Sequence, residues 1–165
     1  MENTVRTAAV VTVSDSASRG ERQDESGPLL VSLLREAGFE VRHAVVVPDD
    51  RARIAARLRA LALEGVHLVA TTGGTGLGPR DVTPEATRDV IEREIPGIGE
   101  AMRASAWPKK PHAMLSRQTA GIRGQTLIVN FPGSPRAVEE GFRVIAPILR
   151  HALDLVAGIT EHRPG

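Results

Sequence analysis

Short apolar runs of strand length alternate along this chain with stretches in which apolar residues recur at helical spacing. We expect strands at residues 5–13, 39–47 and 66–72, and helices that begin at caps formed by Ser26 and Asp50. Short connections of this kind produce right-handed crossovers between parallel strands. The alternation therefore predicts an α/β fold, a three-layer α/β/α sandwich with a mainly parallel sheet.

The second half of the chain is less regular than the first. We expect a helix at residues 84–94, a second short helix at 96–102 and an irregular stretch at 107–112. The two strands of a small hairpin should follow at 114–122 and 125–131, and a long final helix at 135–156. Pro147 should bend or interrupt the final helix, and Gly158 should end it. The hairpin would add antiparallel strands to the parallel sheet.

Composition restricts the classes of function. A chain of 165 residues fits one domain, residues 1–165, and the absence of cysteine excludes disulfides, zinc–thiolate sites and thiol nucleophiles. The 21 basic and 20 acidic residues are interspersed, and aromatic residues make up 2% of the chain, so nucleic acid is not an expected partner. Because no leader and no apolar run of about 20 residues is present, we expect a cytoplasmic protein without a membrane partner.

Residues 71–86, TTGGTGLGPRDVTPEA, follow the third predicted strand and lead into a helix start. The glycines Gly73, Gly74, Gly76 and Gly78 allow positive φ and let backbone N–H groups approach a ligand, while the helix start adds unpaired donors. The segment lacks the Gly-Lys-Ser/Thr ending of a P-loop and the spacing of the dinucleotide fingerprint. We therefore predict an anion site of another kind. A tight strand–helix turn without a ligand is the alternative.

Four loops that follow predicted strands carry small, acidic or hydroxyl residues, at 14–15, 48–50, 73–81 and 131–134. In a parallel sheet these loops open on the same edge, where ligands bind. Asp49 and Asp81 stand at equivalent strand ends and could share one Mg²⁺, which commonly takes one or two carboxylates plus substrate phosphates. Alternatively, Asp49 or Asp50 caps a helix and Asp81 pairs with Arg80. Asp50 is the better cap because it adjoins the helix, which leaves Asp49 free.

Other polar residues give weaker signals. Ser116, Arg117 and Arg123 in the predicted hairpin, and Ser134 and Arg136 near the last helix, suit phosphate oxygens. The serines rank above the arginines, each of which we expect to be solvated. All five histidines are interpreted as structural: His43, His67, His112, His151 and His162. Of these, only His112 is near candidate site residues.

No nucleophile motif stands out in this chain. Gly-x-Ser-x-Gly is absent, and no Ser/His/Asp order is apparent, so covalent catalysis is not indicated. The residues instead favour chemistry in which the substrate brings its own nucleophile. The protein then supplies positioning, a metal and electrostatic stabilisation, as in phosphoryl or nucleotidyl transfer.

Five segments together resemble a known family: VVPDD, TTGGTG, PRDVTPEA, HAMLSRQTAGIRG and LIVNFPGSPRAVEE. They are similar, in order, to the molybdopterin-binding domain of molybdenum cofactor biosynthesis in its adenylyltransferase branch. The G domains of gephyrin and of its plant counterpart are similar as well. The resemblance runs from about residue 5 to residue 158.

The resemblance implies an enzyme that transfers AMP from ATP to the terminal phosphate of molybdopterin and releases pyrophosphate. It implies Mg²⁺ as the metal, a homotrimer, and a molybdate-insertion protein as a further partner. The catalytic and metal-binding residues would be Asp49 and Asp81. With the strand-end loops considered above, the candidate residues for binding molybdopterin and ATP are Ser14, Asp15, Gly73, Gly74, Thr75, Gly76, Arg80, Ser116, Pro132, Gly133 and Ser134.

Two other functions stay open from the sequence. The first is a non-catalytic member of the resembled family, which would only bind the pterin or a partner. A nucleotide pyrophosphatase of the competence-damage-inducible family is the second, although that family has an additional domain which a chain of this length would lack. The complete VVPDD and PRDVTPEA segments favour catalysis.

Overall fold

A mixed sheet of six strands forms the middle layer in a computed structural model, which describes residues 4–160. In chain order the strands are β1 (Thr7–Val13), β2 (Glu40–Val47), β3 (Leu68–Thr72), β4 (Arg93–Glu94), β5 (Ala120–Arg123) and β6 (Thr126–Phe131). Their order across the sheet is β2-β1-β3-β6-β5-β4. The strands β2, β1, β3 and β6 pair in parallel, whereas β5 pairs antiparallel with β6 and with β4.

Helices cover both faces of the sheet. They are α1 (Asp15–Ser18), α2 (Ser26–Glu36), α3 (Arg51–Leu63), α4 (Thr83–Arg88), α5 (Pro96–Ala106) and α6 (Pro135–Val156), with a 3-10 turn at Pro111–Leu115. One core contains residues of α2, α5 and α6, and the other contains residues of α3 and α4. The predicted three-layer α/β/α sandwich with a mainly parallel sheet and a C-terminal hairpin is confirmed.

The central strand β1 shows why the layers form. Ala8 and Val10 pack in the core with α2, α5 and α6, whereas Ala9, Val11 and Val13 pack in the core with α3 and α4. Alternate residues of a strand point to opposite faces, so a strand covered on both faces is buried along its length and mostly apolar. The same holds for β3, in which every residue is buried.

The predicted cap of α2 is wrong. The short helix α1 follows β1, and Ser26 is the first residue of α2, not its cap. The capping bond comes instead from Asp24, whose Oδ1 accepts from the Gly27 N–H at 2.9 Å. The Asp50 cap is confirmed, because its Oδ1 accepts from the Arg53 N–H at 2.9 Å.

The helix expected over 84–94 ends at Arg88, and its last residues form β4. The backbone explains the difference, because the N–H groups of Glu92 and Ile95 donate to carbonyls of β5 at 2.8 Å each. Non-local pairing with the hairpin therefore replaces the last helical turn. The first hairpin strand is also shorter than the expected 114–122, since residues 111–115 form the 3-10 turn.

The final helix agrees with the expected bounds. The helix α6 spans Pro135–Val156 and continues through Pro147 without interruption, and Gly158 follows its end with a φ of +79°. Among residues 4–160, we find no helix whose length and apolar character would let it cross a membrane.

The amide of Asn130 joins three elements in the interior, and we expect its loss to be costly. Its Nδ2 donates to the hydroxyls of Thr71 and Thr87 at 3.0 and 2.9 Å, and its Oδ1 accepts from the Thr119 N–H at 3.2 Å. Asn130→Ala should lower the free energy of unfolding by about 3 kcal/mol, measured by urea denaturation. Gln125→Ala, on the exposed hairpin turn, is the control and should change it by less than about 0.5 kcal/mol. A loss below about 1 kcal/mol for Asn130→Ala would contradict this role.

Candidate active site

The loops after β1, β2, β3 and β6 meet at one edge of the sheet, as the sequence predicts. The Ser14 N–H donates to the carbonyl of Val47 at 2.9 Å, and the Gly73 N–H donates to the carbonyl of Phe131 at 3.1 Å. Asp15 and Asp49 exchange bonds, since the N–H of each donates to the carboxylate of the other, at 2.8 and 3.0 Å. These cross-links fix the relative positions of the four loops.

A cleft of about 430 Å³ lies between these loops. Seven of the candidate residues line it: Ser14, Asp49, Gly73, Gly74, Asp81, Gly133 and Ser134. The segment that leads into α2 also lines it and contributes Arg22, Gln23, Asp24 and Glu25. We call this space the carboxylate cleft.

The glycine loop presents its backbone to the carboxylate cleft. Gly73 and Gly74 have φ values of +97° and +68°, and a Cβ at Gly73 would lie 2.3 Å from the carbonyl oxygen of Val13. Within residues 4–160, no carbonyl or side chain accepts a hydrogen bond from the N–H groups of Gly74, Thr75 and Gly76. Successive free N–H groups next to positive-φ residues form a concave donor surface that suits phosphate oxygens.

Asp24, Glu25, Asp49 and Asp81 line the cleft, and neither Asp49 nor Asp81 has a cationic side chain within salt-bridge distance in the described part of the chain. Asp49 Oδ2 accepts from the Asp15 N–H, and Asp81 Oδ2 accepts from the Gly78 N–H at 2.8 Å. Burial raises the pKa of Asp49, and the charges of Asp15 and Asp81 add to this rise. Neighbouring carboxylates with this like-charge repulsion provide a site that favours a cation.

Asp15 differs from these two carboxylates because Arg80 pairs with it. The Arg80 Nε and Nη2 donate to the two carboxylate oxygens at 2.6 and 3.0 Å, and this hydrogen bonding lowers the pKa of Asp15. The alternative in which Arg80 pairs with Asp81 is therefore wrong. Asp15 positions Asp49 through the exchanged backbone bonds and already has its counter-charge.

The residues of the cleft fit Mg²⁺, provided that water and substrate phosphates supply most of its ligands. Residues 4–160 contain no group of three or more His, Cys, Asp or Glu side chains that could enclose a metal ion. Asp49 and Asp81 each keep one oxygen that accepts no hydrogen bond from these residues, and both line the same cleft. Mg²⁺ commonly binds one or two protein carboxylates and completes its shell with water and phosphate oxygens.

A second cavity, of about 660 Å³, adjoins the carboxylate cleft and shares Ser134 with it. Ser116 and Pro132 line it, together with the side chains of Arg103, Lys109, Lys110, His112, Arg136 and Arg143. Glu140 is the acidic residue of this lining, and it pairs with Lys110 and Arg136 at 3.0 and 3.1 Å. Since cationic side chains outnumber the carboxylate, this basic cavity suits an anionic ligand.

Ser116 contacts one predicted residue, Thr75, and one that is not among the sequence candidates, Gln118. Its hydroxyl donates to Gln118 Oε1 and lies 3.3 Å from the hydroxyl of Thr75. Gln118 is buried, and its backbone carbonyl accepts from Arg103 Nη1 at 2.9 Å. Only the position of Gln118 two residues after Ser116 could have drawn attention to it.

Arg117 is not solvated as expected. Its side chain is 34% exposed and contacts the glycine loop and Glu85, with Nε donating to the carbonyl of Gly76 at 2.8 Å. Among the histidines, His67 has the predicted structural role, because its Nδ1 accepts from the Thr7 N–H at 3.0 Å. His112 lies near the candidate residues as expected, and His162 lies outside the described residues.

Comparisons with known proteins show the family to which the chain belongs. A family model described as "Probable molybdopterin binding domain" matches residues 9–151. The chain belongs to this family. The resemblance noted from the sequence motifs is therefore confirmed.

Relatives in the molybdopterin-binding family cover nearly all of the chain. A protein named molybdopterin adenylyltransferase from Helicobacter pylori (strain J99) is 40% identical over 152 residues, which is 90% of this chain and 86% of that protein. The crystal structure of the molybdopterin biosynthesis enzyme MoaB from Thermus thermophilus is 47% identical. It has a TM-score of 0.88 and covers 93% of this chain and 98% of the Thermus chain.

Some members of the family are longer than this chain. The molybdenum cofactor biosynthesis bifunctional protein of Synechococcus elongatus is 38% identical over 151 residues, which is 92% of this chain. The match spans only 47% of that protein, so the chain covers about half the length of this relative.

Proposed function

We propose that this chain is a molybdopterin adenylyltransferase, which transfers AMP from ATP to the terminal phosphate of molybdopterin and releases pyrophosphate. The observation that carries the proposal is the junction of two unlike cavities at Ser134. The carboxylate cleft offers the free N–H group of Gly74 and the carboxylates of Asp49 and Asp81, whereas the basic cavity offers cationic side chains. The reaction needs two neighbouring sites of these kinds, one for a metal-bound triphosphate and one for an anionic acceptor.

The carboxylate cleft would hold the triphosphate of ATP. The N–H groups of Gly74, Thr75 and Gly76 would donate to phosphate oxygens as negative charge develops on them in the transition state. Asp49 and Asp81 would bind Mg²⁺. When bound there, the metal supplies charge neutralisation at the phosphates.

The basic cavity would hold molybdopterin, with Ser116 on its wall and the terminal phosphate towards Ser134. A phosphate oxygen of the pterin attacks the α-phosphorus of ATP, and the bond between that phosphorus and the bridging oxygen of the β-phosphate breaks. Pyrophosphate leaves with the electron pair of the broken bond. Because a phosphate monoester with a second pKa near ~6 is already ionised at neutral pH, the attack needs no general base. This agrees with a site in which positioning and charge carry the catalysis.

The wider proposal follows the family resemblance. It comprises a homotrimer, a cytoplasmic location and a molybdate-insertion protein that accepts the adenylylated product. The near balance of 21 basic and 20 acidic residues supports the absence of nucleic acid from the partners.

Mass spectrometry of the products tests the proposed reaction. Incubation with ATP, Mg²⁺ and molybdopterin should give adenylylated molybdopterin and pyrophosphate, and omission of molybdopterin or addition of EDTA should prevent both. Unchanged molybdopterin that co-elutes with the protein would identify a binding protein without catalysis. Release of AMP and pyrophosphate without the pterin present would identify a nucleotide pyrophosphatase.

A further inference from the structure

The loop that carries Asp81 has little support of its own. Residues 77–80 are exposed, and inside the loop Gly78 and Asp81 bond only to each other, through the Asp81 N–H at 3.0 Å and the Asp81 carboxylate at 2.8 Å. The position of the Asp81 carboxylate relative to Asp49 therefore depends on contacts from outside the loop. Arg80 supplies one of these contacts through its pair with Asp15.

Arg117 supplies contacts at both ends of this loop. Its backbone N–H donates to the carbonyl of Thr75 at 2.8 Å, and its Nε donates to the carbonyl of Gly76 at 2.8 Å. Its Nη2 donates to the carbonyl of Asp81 at 2.7 Å. Because the guanidinium is a rigid planar fork, it fixes the separation of the Gly76 and Asp81 carbonyls.

Glu85 holds the guanidinium in this position. Its Oε1 accepts from Arg117 Nη1, while its Oε2 is buried and accepts no hydrogen bond within residues 4–160. Burial acts to raise the pKa of Glu85, but the hydrogen bond from Arg117 and further charge interactions outweigh it, so the pKa is lowered. The carboxylate therefore stays ionised beside Arg117, and loss of Arg117 would leave a half-buried charge without its partner.

We propose that Arg117 is a positioning residue that sets the distance between the carboxylates of Asp81 and Asp49. The inference rests on the proposed adenylyl transfer and names a further residue for it. Arg117 directly follows Ser116, so the same segment forms the wall of the basic cavity and anchors the loop of the carboxylate cleft. This shared segment keeps a ligand that contacts Ser116 aligned with a triphosphate bound to the glycine loop.

Three variants separate positioning from general support of the fold. Arg117→Gln removes the fork, and Arg117→Lys keeps the charge but cannot span both carbonyls. Arg123→Gln is the matched control, since Arg123 lies half-buried at the end of β5, the strand that follows Arg117, and donates to a single carbonyl, that of Val90, at 2.9 Å. Each variant is compared with the wild type for kcat, for the KM of ATP and for the Mg²⁺ concentration at half-maximal rate.

We expect Arg117→Gln to lower kcat about 100-fold, as misplacement by about 1 Å does, and to raise the half-maximal Mg²⁺ concentration. Arg117→Lys should recover only a small part of this loss, and Arg123→Gln should match the wild type. Partial unfolding would reduce the amount of active protein without changing the Mg²⁺ dependence. A wild-type Mg²⁺ dependence in Arg117→Gln would therefore overturn the proposal.

Hydrogen exchange gives a readout that does not need the reaction. The N–H groups of Gly78 and Asp81, which donate hydrogen bonds within the loop, should exchange faster in Arg117→Gln than in the wild type or in Arg123→Gln, and unchanged exchange would overturn the proposal. If Arg117→Gln does not fold, the double variant Arg117→Gln/Glu85→Gln, which lacks both charges, takes its place in every comparison. A wild type that forms no adenylylated pterin would contradict the proposed function, whereas exchange at the loop still decides the role of Arg117.

Discussion

Asp49→Asn should lower the rate of adenylyl transfer by roughly 100- to 1,000-fold, whereas Asp50→Asn should leave the rate close to that of the wild type. Asp49 lines the carboxylate cleft and keeps one oxygen free for a cation, while the Asp50 carboxylate caps α3. Asparagine is as good a helix cap as aspartate but is a weak ligand for Mg²⁺. The test is the steady-state rate of adenylylated pterin formation at saturating ATP and Mg²⁺.

Substitutions at the same two positions should affect stability differently from activity. Since burial raises the pKa of Asp49 above its value in the unfolded chain, the contribution of this carboxyl to stability is complete below the unfolded pKa. That contribution is lost as the pH rises through the folded pKa. Asn cannot ionise, so Asp49→Asn should be at least as stable as the wild type at neutral pH in EDTA, measured by thermal unfolding. Asp50→Ala, by contrast, should lose about 1 kcal/mol with its cap.

Asp81 provides an independent check on the same assignment. Asp81→Asn keeps an oxygen that can accept from the Gly78 N–H, so the loop bond survives while the charge is lost. We expect a loss of rate of the same order as for Asp49→Asn. A wild-type rate in either variant would show that the carboxylate takes no part in the chemistry.

The sequence was sufficient to predict the sheet and the edge at which the loops meet. Strands such as β1 and β3 are buried on both faces, so they appear as short, mostly apolar runs between polar loops, with threonine as their polar residue. Parallel pairing then places the four loops together regardless of the details of each. Even the difference between Asp49 and Asp50 follows from the one-residue distance to the helix start.

The sequence was not sufficient where a residue depends on a distant partner. Residues 84–94 have a helical pattern, but Arg93 and Glu94 pair with Ile122 and Gly121 of β5, which no local pattern reveals. Arg117 is a second example, because a solvated arginine and one that joins Gly76, Asp81 and Glu85 have the same local sequence. The same limit applies to Gln118, whose contact with Ser116 depends on how the chain packs before β5.

Gly73→Ala should lower the free energy of unfolding by about 3 kcal/mol or more, the largest loss of stability that we expect from a single methyl group in this loop. Gly73 has a φ of +97°, which costs an L side chain about 1–2 kcal/mol. In addition, its Cβ would lie 2.3 Å from the carbonyl oxygen of Val13. That oxygen belongs to the backbone of β1, which pairs with strands on both sides and cannot move aside without breaking the sheet.

Gly65→Ala is the matched control, because Gly65 also has a positive φ, of +84°, but a Cβ there would meet nothing within 4 Å. It should lose only the cost of the backbone conformation, about 1–2 kcal/mol in urea denaturation. The difference between the two variants then measures the close approach of the glycine loop to β1. Equal losses would show that the φ value alone requires glycine at 73, and that the loop can withdraw from β1 by the width of a methyl group without cost.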